Sequence, residues 1–183
     1  MRPKLWKLLS ALGILAFGSA ILLLSASSAI PAAKASESGG DAWRGDELHG
    51  VWNVTVNLTN CQTGATMGPP FSSLLTFVSG GTMAEATANP AFGVGQRGDG
   101  QGFWFRTGRR SYQAKSVALI AYTTPANLPA SPGFNAGSQT ITQEITFNDD
   151  ADTLDAKASI QFADTTGTVY RSGCATARGE RFK

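Results

Sequence analysis

The side chains able to do chemistry are few and poorly grouped. His49 is the only histidine in the chain. A zinc site or a serine–histidine–aspartate triad needs an imidazole with partners at ligand or hydrogen-bonding spacing, and no cysteine stands at such a spacing from His49. It reads as a surface residue at the entrance of the first strand. Asp149, Asp150 and Asp152 form an acidic run. Calcium binds several such oxygens, but the glycine and distal glutamate of an EF-hand loop are missing, so the run reads as an acidic hairpin end. Gly93-Val94-Gly95-Gln96-Arg97-Gly98 matches G-x-G-x-x-G only in spelling. With no helix after it, there is no helix dipole to hold a pyrophosphate. Glu144 falls on the threonine face of its strand and reads as solvent-facing. That leaves Glu85, which shares a strand face with Met83. If that face points into an apolar interior, its carboxylate is a candidate general acid or base. The sequence itself names no catalytic residue, no metal and no cofactor.

The two cysteines, Cys61 and Cys174, depend on where the chain goes. Arg2, Lys4 and Lys7 form a positive segment, followed by an uncharged apolar run from Leu8 to Ile30 and the small-x-small site Ala33-Lys34-Ala35. That order predicts a secretory signal peptide over 1–35, with localisation in the periplasm or outside the cell. The rival reading is an uncleaved anchor, because the run exceeds the roughly 20 residues that span a bilayer. Pro31 and the alanine-rich site favour cleavage, and no cysteine lies there to carry a lipid. Export would put both cysteines in an oxidising compartment, where an even count reads as a disulfide; two separate buried thiols are the alternative. Removing Arg2, Lys4, Lys7 and Lys34 from the 15 basic residues leaves 11 against 13 acidic ones. The basic character of the whole chain therefore belongs to the leader, and there is no cationic footprint for nucleic acid. Arg106, Arg109 and Arg110 sit beside Gly108 and read as a solvated hairpin end.

The elements that must position these residues are strands. Residues 36–47 read as a flexible lead-in and 48–183 as one domain. Period-two alternation marks strands at 51–58, 71–78, 82–87, 103–106, 112–122, 140–147, 154–162 and 168–176. Most connections are of hairpin length. Two are longer, 88–101 and 124–137, both rich in glycine and proline. No segment shows sustained helical periodicity. The order predicts an all-β fold: an eight-stranded antiparallel up-and-down barrel, with its first and last strands paired so that no edge remains exposed. A Cys61–Cys174 bond fits that closure. If the two cysteines lay directly opposite, partners would sum to about 235, setting Val54 against Arg181 and Arg181 one diagonal step from Trp52.

Gly50-Val51-Trp52 at the start of the first strand resembles the G-x-W signature of lipocalins and their calycin relatives. The resemblance extends over 48–182 as a pattern of eight strands, one disulfide and a late arginine. It implies that Trp52 plugs one end of the barrel and that a basic residue from the last strand packs over it, Arg181 by preference and Arg178 second. The chain also resembles uncharacterised exported bacterial proteins in Gly80-Gly81-Thr82, in the stretch from Gly108 to Tyr112, and in Gly173-Cys174-Ala175-Thr176. It departs from true lipocalins in lacking a helix after the barrel.

Small residues supply the functional expectation. Ala156 and Ala158 share one face of their strand, and Ala114, Ser116 and Ala118 share one face of theirs. Eight-stranded barrels either fill their interior or hold one small ligand, and alanines at neighbouring levels remove filling volume. The expected lining is Phe77, Phe103, Phe105, Tyr112, Phe147, Ala156 and Ala158, with the two long loops at the mouth. The expected protein is a monomeric, non-catalytic carrier of a small apolar or aromatic ligand, touching a membrane only through an uncleaved leader. Two alternatives stand beside it. One is a barrel enzyme of isomerase or cyclase type using Glu85. The other is an envelope interaction module using exposed loops and Trp104.

Overall fold

A computed structural model describes residues 47–148 and 152–183. The leader, nearly all of the lead-in, and Asp149 and Asp150 lie outside the described residues. Eight antiparallel strands close into a barrel in chain order: β1 (Gly50–Thr59), β2 (Phe71–Val78), β3 (Thr82–Thr87), β4 (Gly100–Arg106), β5 (Ser111–Ile120), β6 (Gly137–Phe147), β7 (Thr153–Asp164) and β8 (Val169–Arg181). β8 pairs with β1, as the absence of a tolerable edge requires.

The largest boundary differences from the periodicity are at β4, β6 and β8. β4 begins at Gly100 rather than Phe103, because Gly100 and Gly102 are strand residues facing inward and not loop. β6 begins at Gly137, and β8 runs on to Arg181. The register of the closing seam is also two residues from the simple expectation. Trp52 lies opposite Arg181 and Thr59 opposite Cys174. Cys61 is past the end of β1, where Asn60 turns the chain by accepting the Gln62 and Thr63 amides on its side-chain oxygen at 2.9 and 3.0 Å. The Cys61–Cys174 disulfide therefore ties this turn to β8 instead of joining directly opposed residues.

One end of the barrel is packed solid. Trp52, Phe77, Met83, Tyr112, Phe147 and Leu154 are almost fully buried there, with Leu48 beneath them. The rings meet edge to face, Trp52 on Phe147 at 5.3 Å and Phe77 on Trp104 at 6.0 Å between centroids, the arrangement their quadrupoles favour. Each indole N–H is satisfied: Trp52 donates to the Leu48 carbonyl at 2.9 Å, and Trp104 to the Thr82 carbonyl at 2.9 Å. Trp104 is thus an interior residue, not an exposed recognition group.

The Arg181 guanidinium lies 4.3 Å from the Trp52 ring centroid and donates to the carbonyls of His49, at 2.8 Å, and Glu47. Asp152 faces the same guanidinium at 3.5 Å. Gly50 makes this possible. Its φ is +130°, and a Cβ there would stand 3.1 Å from Arg181 Nη1. At the hairpin joining β7 to β8, the Thr166 hydroxyl and neighbouring backbone amides donate to Asp164, holding its carboxyl below the ordinary carboxylate range.

Two outcomes test the closure. Arg181→Gln is expected to lower unfolding free energy by about 1–3 kcal/mol in urea denaturation, from the lost ring contact and hydrogen bonds. Reducing the disulfide releases a crosslink between residues 113 apart, and the chain-entropy relation gives a loss of about 4–5 kcal/mol. Unchanged midpoints in both experiments would show that the seam is held by its backbone ladder alone.

Candidate functional site

Above the packed end the interior is open. The reason is the small-residue face of β8, where Gly173, Ala175 and Ala177 point inward, together with Ala158 of β7. They leave a cavity of about 320 Å³, at the small end of the ordinary range for ligand sites. Val54, Val56 and Leu58 of β1 form one wall, and Ile141 of β6 with Ile160 and Phe162 of β7 form another. A Cβ added at Gly173 would meet no atom within 4 Å, so this stretch of wall borders empty space.

The mouth is built from the two long loops. Phe92 of loop 88–99 stacks on Phe134 of loop 121–136 at 4.1 Å, and Phe134 packs on Phe162 at 5.2 Å. Gln96 is completely buried between the loops. Its amide nitrogen donates to the Tyr122 carbonyl at 2.9 Å and to Thr124 Oγ1 at 3.0 Å, while its oxygen accepts the Gly93 N–H at 2.9 Å. Arg171 pins the second loop to β8. It donates to the carbonyls of Gly133, at 2.7 Å, and Pro132, at 3.1 Å, with its guanidinium 5.0 Å from the Phe134 centroid.

The floor is polar on one side. Glu85 faces inward, and its carboxylate accepts from the Arg97 guanidinium; both side chains are 3% exposed. Arg97 also donates through Nε to the Gln139 side-chain oxygen and through Nη1 to the Gly98 carbonyl at 3.0 Å. Ser73 and Thr87 share a hydroxyl–hydroxyl bond at 2.9 Å, and Thr87 reaches the second Glu85 oxygen at 3.4 Å. Gly100 provides the room, since a Cβ there would overlap the Glu85 carboxylate. Glu85, Gln139 and Gln143 all border the cavity.

The residues expected to line a ligand site divide into three groups. Ala158 borders the cavity. Phe77, Tyr112, Phe147 and Ala156 belong to the packed end and help form the plug beneath the cavity. Phe103 and Phe105 are a correction: they point outward, 51% and 44% exposed, with their rings stacked on each other at 6.3 Å. Pleating places Gly100, Gly102 and Trp104 on the inner face of β4, so the two phenylalanines take the outer one. With Val117 and Leu119 of β5 they give this side of the barrel an apolar exterior. Among the residues not anticipated, Arg97 had no visible signal, lying in a glycine-rich loop. Gln139 and Gln143 did have one, because they continue the inward parity of Ile141, Ile145 and Phe147.

No protein-family model matches the chain, and no curated protein matches it either. The geometry of the site therefore carries the functional reading.

Breaking the buried pair should show what it contributes. Removing one partner leaves a charge without compensation in an apolar interior. Arg97→Met and Glu85→Leu are each expected to destabilise by about 3–5 kcal/mol. The double variant should recover most of that loss, giving a coupling energy well above the noise of a double-mutant cycle in urea. Additive losses would mean that the two side chains do not act as a pair.

Proposed function

We propose that this protein is a lipocalin-like carrier that holds one small, mainly apolar molecule inside its barrel, working after export in an oxidising compartment. The observation that carries this reading is the mainly apolar cavity between a plugged end and a mouth assembled from two interlocked loops. Calycin likeness is supported by the up-and-down closure and by the Gly50, Trp52 and Arg181 arrangement at the plugged end. Export is supported by the leader pattern and by a disulfide across the closing seam.

A second reading has one observation in its favour. Glu85 faces inward and borders the cavity, as an acid–base residue of an isomerase or cyclase would. Its partner Arg97, however, holds the carboxylate as half of an ion pair, which suits charge balance better than proton transfer. Binding without chemistry is therefore the first reading.

The purified mature protein should bind the neutral fluorophore N-phenyl-1-naphthylamine saturably, at one site per chain, with enhanced emission. Gly173→Phe projects a ring into the open space and should abolish that binding while leaving the thermal midpoint unchanged or slightly raised. Equal binding by the two proteins would place the fluorophore elsewhere and remove the carrier reading.

A further inference from the structure

The polar groups at the cavity floor say more than that something apolar fits. Gln143 is 5% exposed and borders the cavity, and its side-chain amide has no hydrogen-bond partner among the described residues. Buried amides are normally paired, and one left unpaired is destabilising unless something else supplies the bond. An amide offers both a carbonyl acceptor and N–H donors, without net charge.

Its level in the barrel is fixed by register. Gln143 lies opposite Ala158, one inward step from Ile145, which belongs to the packed end. On the other side, toward the mouth, come Ile141 and then Gln139. Gln143 is thus the lowest β6 residue that the cavity reaches. The charges nearby cancel, because Glu85 and Arg97 are paired. An anion in the cavity would face Glu85, and a cation would compete with Arg97 for it. The rest of the lining includes the aliphatic Val56, Leu58, Ile160 and Ala175 and leads to the rings at the mouth.

We infer that the ligand is a neutral, largely apolar molecule with one hydrogen-bonding group, a hydroxyl or an amide, and that it sits with this group down against Gln143 and its apolar body toward the mouth. The inference rests on the carrier reading and deepens it. The competing arrangement is an anionic head at the rim beside Arg171. That guanidinium already holds the Gly133 and Pro132 carbonyls and covers Phe134, which is the work of fastening a loop.

Competition against bound N-phenyl-1-naphthylamine tests this on the mature protein, using decan-1-ol, decanamide and decanoate. The alcohol and the amide should displace the probe at concentrations roughly tenfold below decanoate. Gln143→Leu should weaken both by roughly tenfold while leaving probe affinity nearly unchanged, with Gln143→Met repeating the test if the leucine variant does not fold. The inference is overturned if Gln143→Leu binds the alcohol and the amide as tightly as the parent. It is also overturned if decanoate is the strongest competitor and loses its advantage in Arg171→Gln. In both cases the probe still saturates the parent protein, so the carrier reading survives. A parent protein that never binds the probe removes both.

Discussion

The structure depends on one constraint: the first and last strands must meet, and stay met, along their whole length. A sheet of eight strands has two open edges until β1 reaches β8. The seam is secured at each end by a different device. At the plugged end a guanidinium lies on an indole and collects the carbonyls of the incoming chain. At the mouth a disulfide ties the turn after β1 to β8. Between them β8 contributes little side-chain bulk, with Gly173, Ala175, Ala177 and Gly179 facing inward. A strand so poor in packing volume adds little hydrophobic stabilisation of its own. Fastening it near both ends lets the seam stay closed while its inner face at Gly173 borders open space. Cavity and closure are therefore linked: the residues that make room are on the strand that most needs holding.

Filling is distributed unevenly for the same reason. The aromatic residues of β1, β2, β4, β5 and β6 converge at the plugged end, where they meet edge to face. Above the plug the inward positions are small at Gly173, Ala175 and Ala177 of β8 and at Ala158 of β7, while Val54, Val56 and Leu58 keep β1 aliphatic. The result is a closely packed lower layer and a one-sided apolar hollow above it.

Much of this could be read from the residue order. Alternation located all eight strands, and the spans 71–78 and 82–87 agree with β2 and β3 residue for residue. The Trp52–Arg181 contact was legible because strand closure and the G-x-W pattern point to the same pair. Two kinds of information were out of reach. The first was parity where polarity does not alternate. In Phe103-Trp104-Phe105 every side chain is aromatic, so nothing along the strand says which face is inside, and the flanking glycines look like loop. The second was anything contributed by a loop. Arg97 is surrounded by glycines, and its path into the interior depends on Gln96, the neighbouring residue, being locked to Tyr122 and Thr124. The two-residue difference in seam register has a comparable origin. The simple expectation sets the bonded cysteines directly opposite each other, whereas Cys61 lies past the end of β1.

Gln96 and Arg97 also explain why the hollow is ready-made. Gln96 closes a turn and Arg97 follows it, so the two neighbours reach different partners. Here one is spent on the other loop, while its neighbour reaches the Glu85 carboxylate at the cavity floor. The loop at the mouth is thus anchored both sideways, to its partner loop, and downward, to the floor. A buried ion pair is a weak source of stability, since desolvation consumes most of what attraction provides, but it strongly penalises arrangements in which either partner is displaced. Swinging loop 88–99 away would leave the buried Glu85 carboxylate without its counter-ion. The pair therefore selects one loop position rather than deepening the fold, and a guest entering a mouth already held in that position would lose little of its binding free energy to ordering the protein.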